Sequence, residues 1–246
     1  MTDKATSIKL AKAAGWLLVV GPLLDILLVS IRPGGFLTDD PGGPVEAILA
    51  WVEALATNTG LSNLSVELGL VVSLAFVLGL YCTVRLLKDG SWSDHLRMVG
   101  FLIVMIAYTL RAASYATLHL SGNLIKFGVG ADGAEATFEY AVIITALAGS
   151  ITVFSTLLLA LGVAVFAWGM MHLNVIGGSD RILAMVLGIL PAAGVFLLML
   201  IGAHSDNNVL TLFFLGNLMA LVQVIWTTWL GVALIRRGDQ LPVPAG

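Results

Sequence analysis

Residues 98–120 read MVGFLIVMIAYTLRAASYATLHL. Everything up to Leu110 is uncharged and would be at home in hydrocarbon, yet Arg111 follows in the same apolar run. A helix needs about 20 apolar residues to cross a bilayer core. This stretch therefore decides the fold class: it is a membrane span with a cation inside it. A guanidinium at that depth requires a counter-charge, a wet cavity or a chemical task.

The rest of the chain agrees with that reading. Of its 246 residues, 59% are hydrophobic and only 11% charged, far below the roughly one quarter charged of soluble domains. Six stretches reach spanning length, at 13–31, 64–87, 97–119, 140–171, 182–203 and 209–235. Apolar blocks of this length, without period-two alternation, predict an all-α bundle of six transmembrane helices forming one domain over 1–246. The fourth stretch is too long for a perpendicular crossing, so it should tilt, bend near Gly149 and Ser150, or project beyond the membrane. Pro191 and Gly194 predict a kink in the fifth. Asp25 and the absence of a small-residue cleavage site make 13–31 a first span and not a signal peptide.

Basic residues set orientation, because Lys and Arg are retained on the cytoplasmic side. Lys4, Lys9, Lys12, Arg85, Lys88, Arg97, Arg181, Arg236 and Arg237 all fall on one side of the six spans. The opposite side receives Arg32 and Lys126 but collects Asp39, Asp40, Glu46, Glu53, Asp132, Glu135 and Asp206. Both termini are therefore expected in the cytoplasm of a multi-pass cell-membrane protein. A net charge of −3 and the lack of a basic cluster interleaved with aromatics set nucleic acid aside as a partner. Cys82 is the sole cysteine, so there is no disulfide framework.

Between the first two spans, the segment 44–58 puts Val45, Ile48, Leu49, Val52 and Leu55 on one helical face and Glu46 and Glu53 on the other. Pro44 suits a first helical turn and Gly60 a stop, which predicts a short external amphipathic helix. It would either pack on the rim of the bundle or close over a cavity.

At about 1.5 Å per residue, Arg111 lies about 21 Å beyond Arg97, Asp25 about 20 Å beyond Lys12, and Glu67 about 27 Å from Arg85. Three spans thus bring one cation and two anions to similar depth in the outer half of the core. Three isolated charges there would cost about 8 to 10 kcal/mol, comparable to the whole stability of a domain. Mutual pairing is the economical arrangement, since an arginine fork can serve two carboxylates. The expected cluster joins Arg111 with Glu67, with Asp25 nearby.

Tyr108, Arg111, Tyr115 and His119 recur at steps of three and four and share one helical face. The candidate ligand-binding set is therefore Arg111, Glu67, Asp25, Tyr108, Tyr115 and His119. Thr145, Gly149, Thr152 and Thr156 on the fourth span, and Gly216, Ala220, Gln223 and Thr227 on the sixth, read as faces for close helix packing. His119 and His204 near Glu139 and Asp206 admit a metal reading, but no HxxxH or HExxH fixes a ligand pair on one helix. No nucleophile elbow, phosphate loop or dinucleotide fingerprint occurs, and no cofactor is indicated.

Several stretches resemble the bacterial six-helix membrane proteins grouped as domain of unknown function number forty-three eighty-six. The second span, with Glu67 and closing LGLYCTVRLLK, is similar to that family's acid followed by LYRLL. YTLRAASYA is similar to its arginine-bearing third helix, and AWGMMHLNVIGGSDRILAMVLGILPAAG to its fourth-to-fifth connection. The likeness covers residues 8–237 and implies a bacterial inner-membrane setting, with Arg111 and Glu67 as the family's arginine and acid. Ala112, Ala113 and Ser114 depart from it where members often carry an acid, and Asp180-Arg181 stands in place of Pro-Arg. The family brings no mechanism. Three functional readings follow: a non-enzymatic binder of a small anionic or amphipathic ligand, or a proton relay, in an outer-leaflet polar cavity; an accessory subunit whose apolar surface meets a membrane-protein partner; and an outer-face metal-dependent enzyme.

Overall fold

The computed structural model describes residues 4–32, 44–128, 134–171, 182–202 and 208–240. Among them the secondary structure is helical throughout. The elements are α1 (Lys4–Ile31), α2 (Pro44–Thr57), α3 (Thr59–Leu86), α4 (Trp92–Gly128), α5 (Ala134–Met171), α6 (Leu190–Gly202), which follows a π-helical turn at Ala184–Ile189, and α7 (Asn208–Arg237). Six of these stretches are long and apolar enough to cross a membrane, and α2 is the short helix between the first two. The protein is an all-α membrane bundle.

Small and polar residues take many of the buried positions on the spans, while many leucines and valines face outward. On α3 the buried face carries Ser62, Ser65, Gly69, Ser73, Gly79 and Thr83, while Leu64, Leu68, Val71, Leu74 and Leu78 are exposed. Lipid tails are as apolar as leucine, so leucines gain little by turning inward and close backbone approach decides the packing face. The most extensive contact is α4 against α5; α1 lies between α3 and α7, and α6 packs on α5 and α7. A Cβ on Gly100 would overlap the Phe166 backbone, one on Gly162 would come 2.9 Å from Val104 N, and one on Gly231 would come 2.5 Å from the Gly15 carbonyl. Bulk returns in the centre, where Trp226 meets Phe166 edge-on at 5.6 Å.

The α4–α5 pair also carries side-chain hydrogen bonds. Ser114 Oγ donates to the Ala148 carbonyl at 2.9 Å, with Thr152 Oγ1 at 2.8 Å, and Ser121 Oγ donates to the Ala141 carbonyl at 3.1 Å, with Thr145 Oγ1 at 2.8 Å. Thr145 and Thr152 are thus packing residues. At about 55 Å, α4 and α5 both outrun a hydrocarbon core of about 30 Å. α5 runs unbroken through Gly149 and Ser150, so the helix is not interrupted there. The irregularity near Pro191 takes the form of the π turn upstream of it, which brings Gly188 against the Trp226 indole.

α2 packs by its apolar stripe. Val52 and Leu55 are fully buried, Val52 in a cluster with Ile125 and Ala141 and Leu55 in one with Val66, Tyr115, Leu118 and Ala148, while Glu53 is exposed. The turn into α3 is tight because Asn58 caps the next helix, its Oδ1 accepting from Leu61 N at 3.2 Å. α2 therefore lies across the acidic end of α3, α4 and α5.

Candidate functional site

The site begins on α1, where Leu18, Gly21, Pro22, Asp25, Leu28 and Arg32 line the buried side at steps of three and four. Asp25 faces α4. Its Oδ2 lies 3.3 Å from Arg111 Nη1, and its Oδ1 accepts from Tyr115 Oη at 3.3 Å. Tyr108, one turn earlier on α4, lies 5.8 Å below the Arg111 guanidinium and is within 5.1 Å of the Phe76 ring. Gln223 of α7 donates from Nε2 to Tyr108 Oη. Four of the six residues singled out from sequence, Asp25, Tyr108, Arg111 and Tyr115, are brought together, and α7 supplies a partner.

Tyr115 can enter because Gly69 faces it on α3: a Cβ there would meet the tyrosine ring at 3.0 Å. The other face of the site is Arg32. Its Cζ stands 4.7 Å over the Tyr115 ring, and its Nε donates to Ser65 Oγ at 3.2 Å, while Ser65 Oγ donates to the Ser62 carbonyl at 2.8 Å. The result is a chain, Arg32–Tyr115–Asp25–Arg111, joining α1 and α4 beside α3. Among the described residues it holds two cations and one carboxylate. Arg32 is only 7% exposed, and its Nη2 has no hydrogen-bond partner.

Glu67 is a correction. It is exposed and does not reach Arg111; its contact is His119, with Nδ1 at 4.0 Å from Oε1. The rise along α3 puts it at a suitable depth, but its angle around the helix turns it away: it sits among Leu64, Leu68 and Val71 on the outward face. His119 accordingly leaves the arginine site and pairs, loosely, with Glu67. No group of three potential metal ligands occurs among the described residues. His204 and Asp206, together with Asp39, Asp40, Asp132, His172 and Arg181, lie outside the described residues.

Two features were missed from the sequence. Arg32 was counted only as a loop charge, although it lies seven residues after Asp25 and so on the same helical face. Arg97, counted only as a marker of orientation, is fully buried at the opposite end of α4. It donates to the Leu87 carbonyl at 2.7 Å and the Gly169 carbonyl at 3.2 Å, and pairs with Asp94 and with Asp89 at 3.3 Å. Asp94 in turn accepts from the backbone N–H groups of Asp89 and of Gly90, whose φ of +72° needs a glycine. This is a staple of the α3–α4 turn. Burial works to raise the Asp89 carboxyl, but hydrogen bonds from Ser91 and the Arg97 charge outweigh it and hold the group below the usual carboxylate value.

No family model, curated protein or solved structure matches the chain.

Proposed function

We propose that the protein is a non-enzymatic membrane protein that binds a small anionic or amphipathic ligand in the leaflet opposite its termini, at the cluster of Arg111, Asp25, Tyr108 and Tyr115. What carries the reading is the incomplete engagement of Arg111. Its guanidinium has five donors, among the described residues it makes one ion pair, to Asp25 at 3.3 Å, and its side chain keeps 16% exposure. Asp25 serves as resting counter-ion, and Tyr115 ties that carboxylate to the second cation, Arg32, so the described cluster has positive charge to spare.

The topology proposed with it has both termini in the cytoplasm, because the basic residues gather at that end. Kinship with the family of unknown function is likewise a proposal. Its arginine is represented here by Arg111, but its acid, Glu67, does not pair with that arginine.

Decanoate is a suitable probe, being a small amphipathic carboxylate. Native mass spectrometry of the full chain released from maltoside detergent should show a decanoate adduct that Arg111→Ala loses while staying folded and monodisperse. An adduct retained by Arg111→Ala would remove the reading. Arg111→Lys keeps the charge without the planar fork, and should retain a weakened adduct.

A further inference from the structure

We propose that Arg32 is the cation that takes a phosphate group, so that the ligand of this site is a phosphate-bearing molecule whose anionic head sits at the end of α1 beside Ser65 and Tyr115. The inference rests on the ligand-binding reading above, and adds the ligand's chemical class and the residue that receives it.

A buried guanidinium must have its donors met, because each unmet one forfeits its hydration without return. Arg32 has its Nε on Ser65 and its plane over Tyr115, and among the described residues it forms no ion pair. Its Nη2 is buried and unpartnered, and on α3 the Ser62 hydroxyl, on the same face as Ser65, is also buried without a partner. Arg111, by contrast, already has Asp25. Among the described residues, Arg32 is therefore the cation of the cluster with no carboxylate beside it.

Depth supplies the class. Arg32 lies two turns beyond Asp25, about 10 Å farther along the helix axis, and it follows the last residue of a 28-residue helix that is longer than a hydrocarbon core of about 30 Å, which argues for a place at the headgroup layer. Phosphate is the anion that layer is made of. A planar guanidinium matches phosphate oxygens in bidentate fashion, and a nearby hydroxyl can donate to a third. The same chemistry could come from a lipid headgroup or from free phosphate.

The test uses the full chain in dodecyl maltoside, with thermal unfolding as the readout and four probes: dioctanoyl phosphatidate, dioctanoyl glycerol, inorganic phosphate and decanoate. Phosphatidate should raise the melting temperature and dioctanoyl glycerol, which has the same chains without the phosphate, should not. Arg32→Gln should weaken phosphatidate by about tenfold or more, the loss expected for a charge-assisted hydrogen bond. Stabilisation by inorganic phosphate as well identifies free phosphate as the source; stabilisation by phosphatidate alone identifies a lipid headgroup. Either supports the shared chemistry. The inference is overturned if neither phosphate compound stabilises the protein, or if Arg32→Gln binds phosphatidate as well as the parent does. If Arg32→Gln does not fold, Arg32→Lys decides: it keeps the charge and loses the fork, and an unchanged affinity overturns the proposal. Decanoate separates the two readings. Decanoate binding that depends on Arg111, with both phosphate compounds inert, sinks this inference and leaves the functional reading standing; indifference of all probes to both arginines sinks both.

Discussion

Replacing Asp25 by Asn leaves Arg111 inside the bundle without its counter-ion, at a position flanked by Tyr108 and Tyr115. Breaking one partner out of a buried ion pair costs about 3–5 kcal/mol. Here the two side chains keep 16% and 10% exposure, and both tyrosines remain as polar neighbours, so the lower end, about 3 kcal/mol, is expected. For a chain of this size that corresponds to a fall in melting temperature of about 6–12 °C. Arg111→Gln should cost a similar amount, because it strands Asp25 in the same way. The double variant, Asp25→Asn with Arg111→Gln, removes both charges together and should recover at least half of the summed loss, since replacing a whole buried pair is far cheaper than breaking it. The assay is thermal unfolding of all four proteins at fixed detergent and protein concentration, read as a double-mutant cycle. If the single variants melt within about 1 °C of the parent, or if their losses add in the double variant, the two residues are not energetically paired and the reasoning built on that pair is refuted.

Two further outcomes follow from the packing and from the α3–α4 turn. Gly100→Ala should destabilise by about 1–3 kcal/mol, because its Cβ would overlap the Phe166 backbone, whereas Gly194→Ala, with nothing within 4 Å, should be neutral or stabilising; the pair of melting temperatures checks this. Asp94→Asn removes one acid from the fully buried Arg97 and weakens the acceptor for the Asp89 and Gly90 amides, so limited proteolysis should cut the 87–91 turn faster than in the parent. In the parent, the same turn should loosen in acid. The folded-state value of Asp89 lies below its ordinary value of 3.8, so its contribution is present above that value and is lost as the pH falls through the lower, folded one; turn cleavage by an acid-active protease should rise over that window.

How much of this was legible in the sequence depends on which coordinate of a helix is being asked for. Depth is legible, because rise per residue is constant: counting from the basic end brought Asp25 and Arg111 to one level, and they meet at 3.3 Å. Phase is harder, and it is where Glu67 was misassigned. Depth alone left two acids competing for Arg111, and only rotation about α3 separates them. The information was nevertheless present, in a form inverted from that of soluble helices. On a soluble helix, leucine marks the inward face; in lipid, serine and glycine mark it, since they allow backbones to approach. Ser62, Ser65, Gly69 and Ser73 trace the inward face of α3 at steps of three and four, and all are buried. Glu67 is two residues past Ser65, about 200° around the helix, and therefore belongs with the lipid-facing leucines. The same geometry applied to α1 sets Arg32 within about 20° of Asp25, on the buried side. Exchanging Glu67 for Arg32 turns a cluster of one cation and two carboxylates into one of two cations and one carboxylate, so a site with negative charge in excess becomes a site with positive charge unspent. That change of sign is the physical reason to look for an anion here.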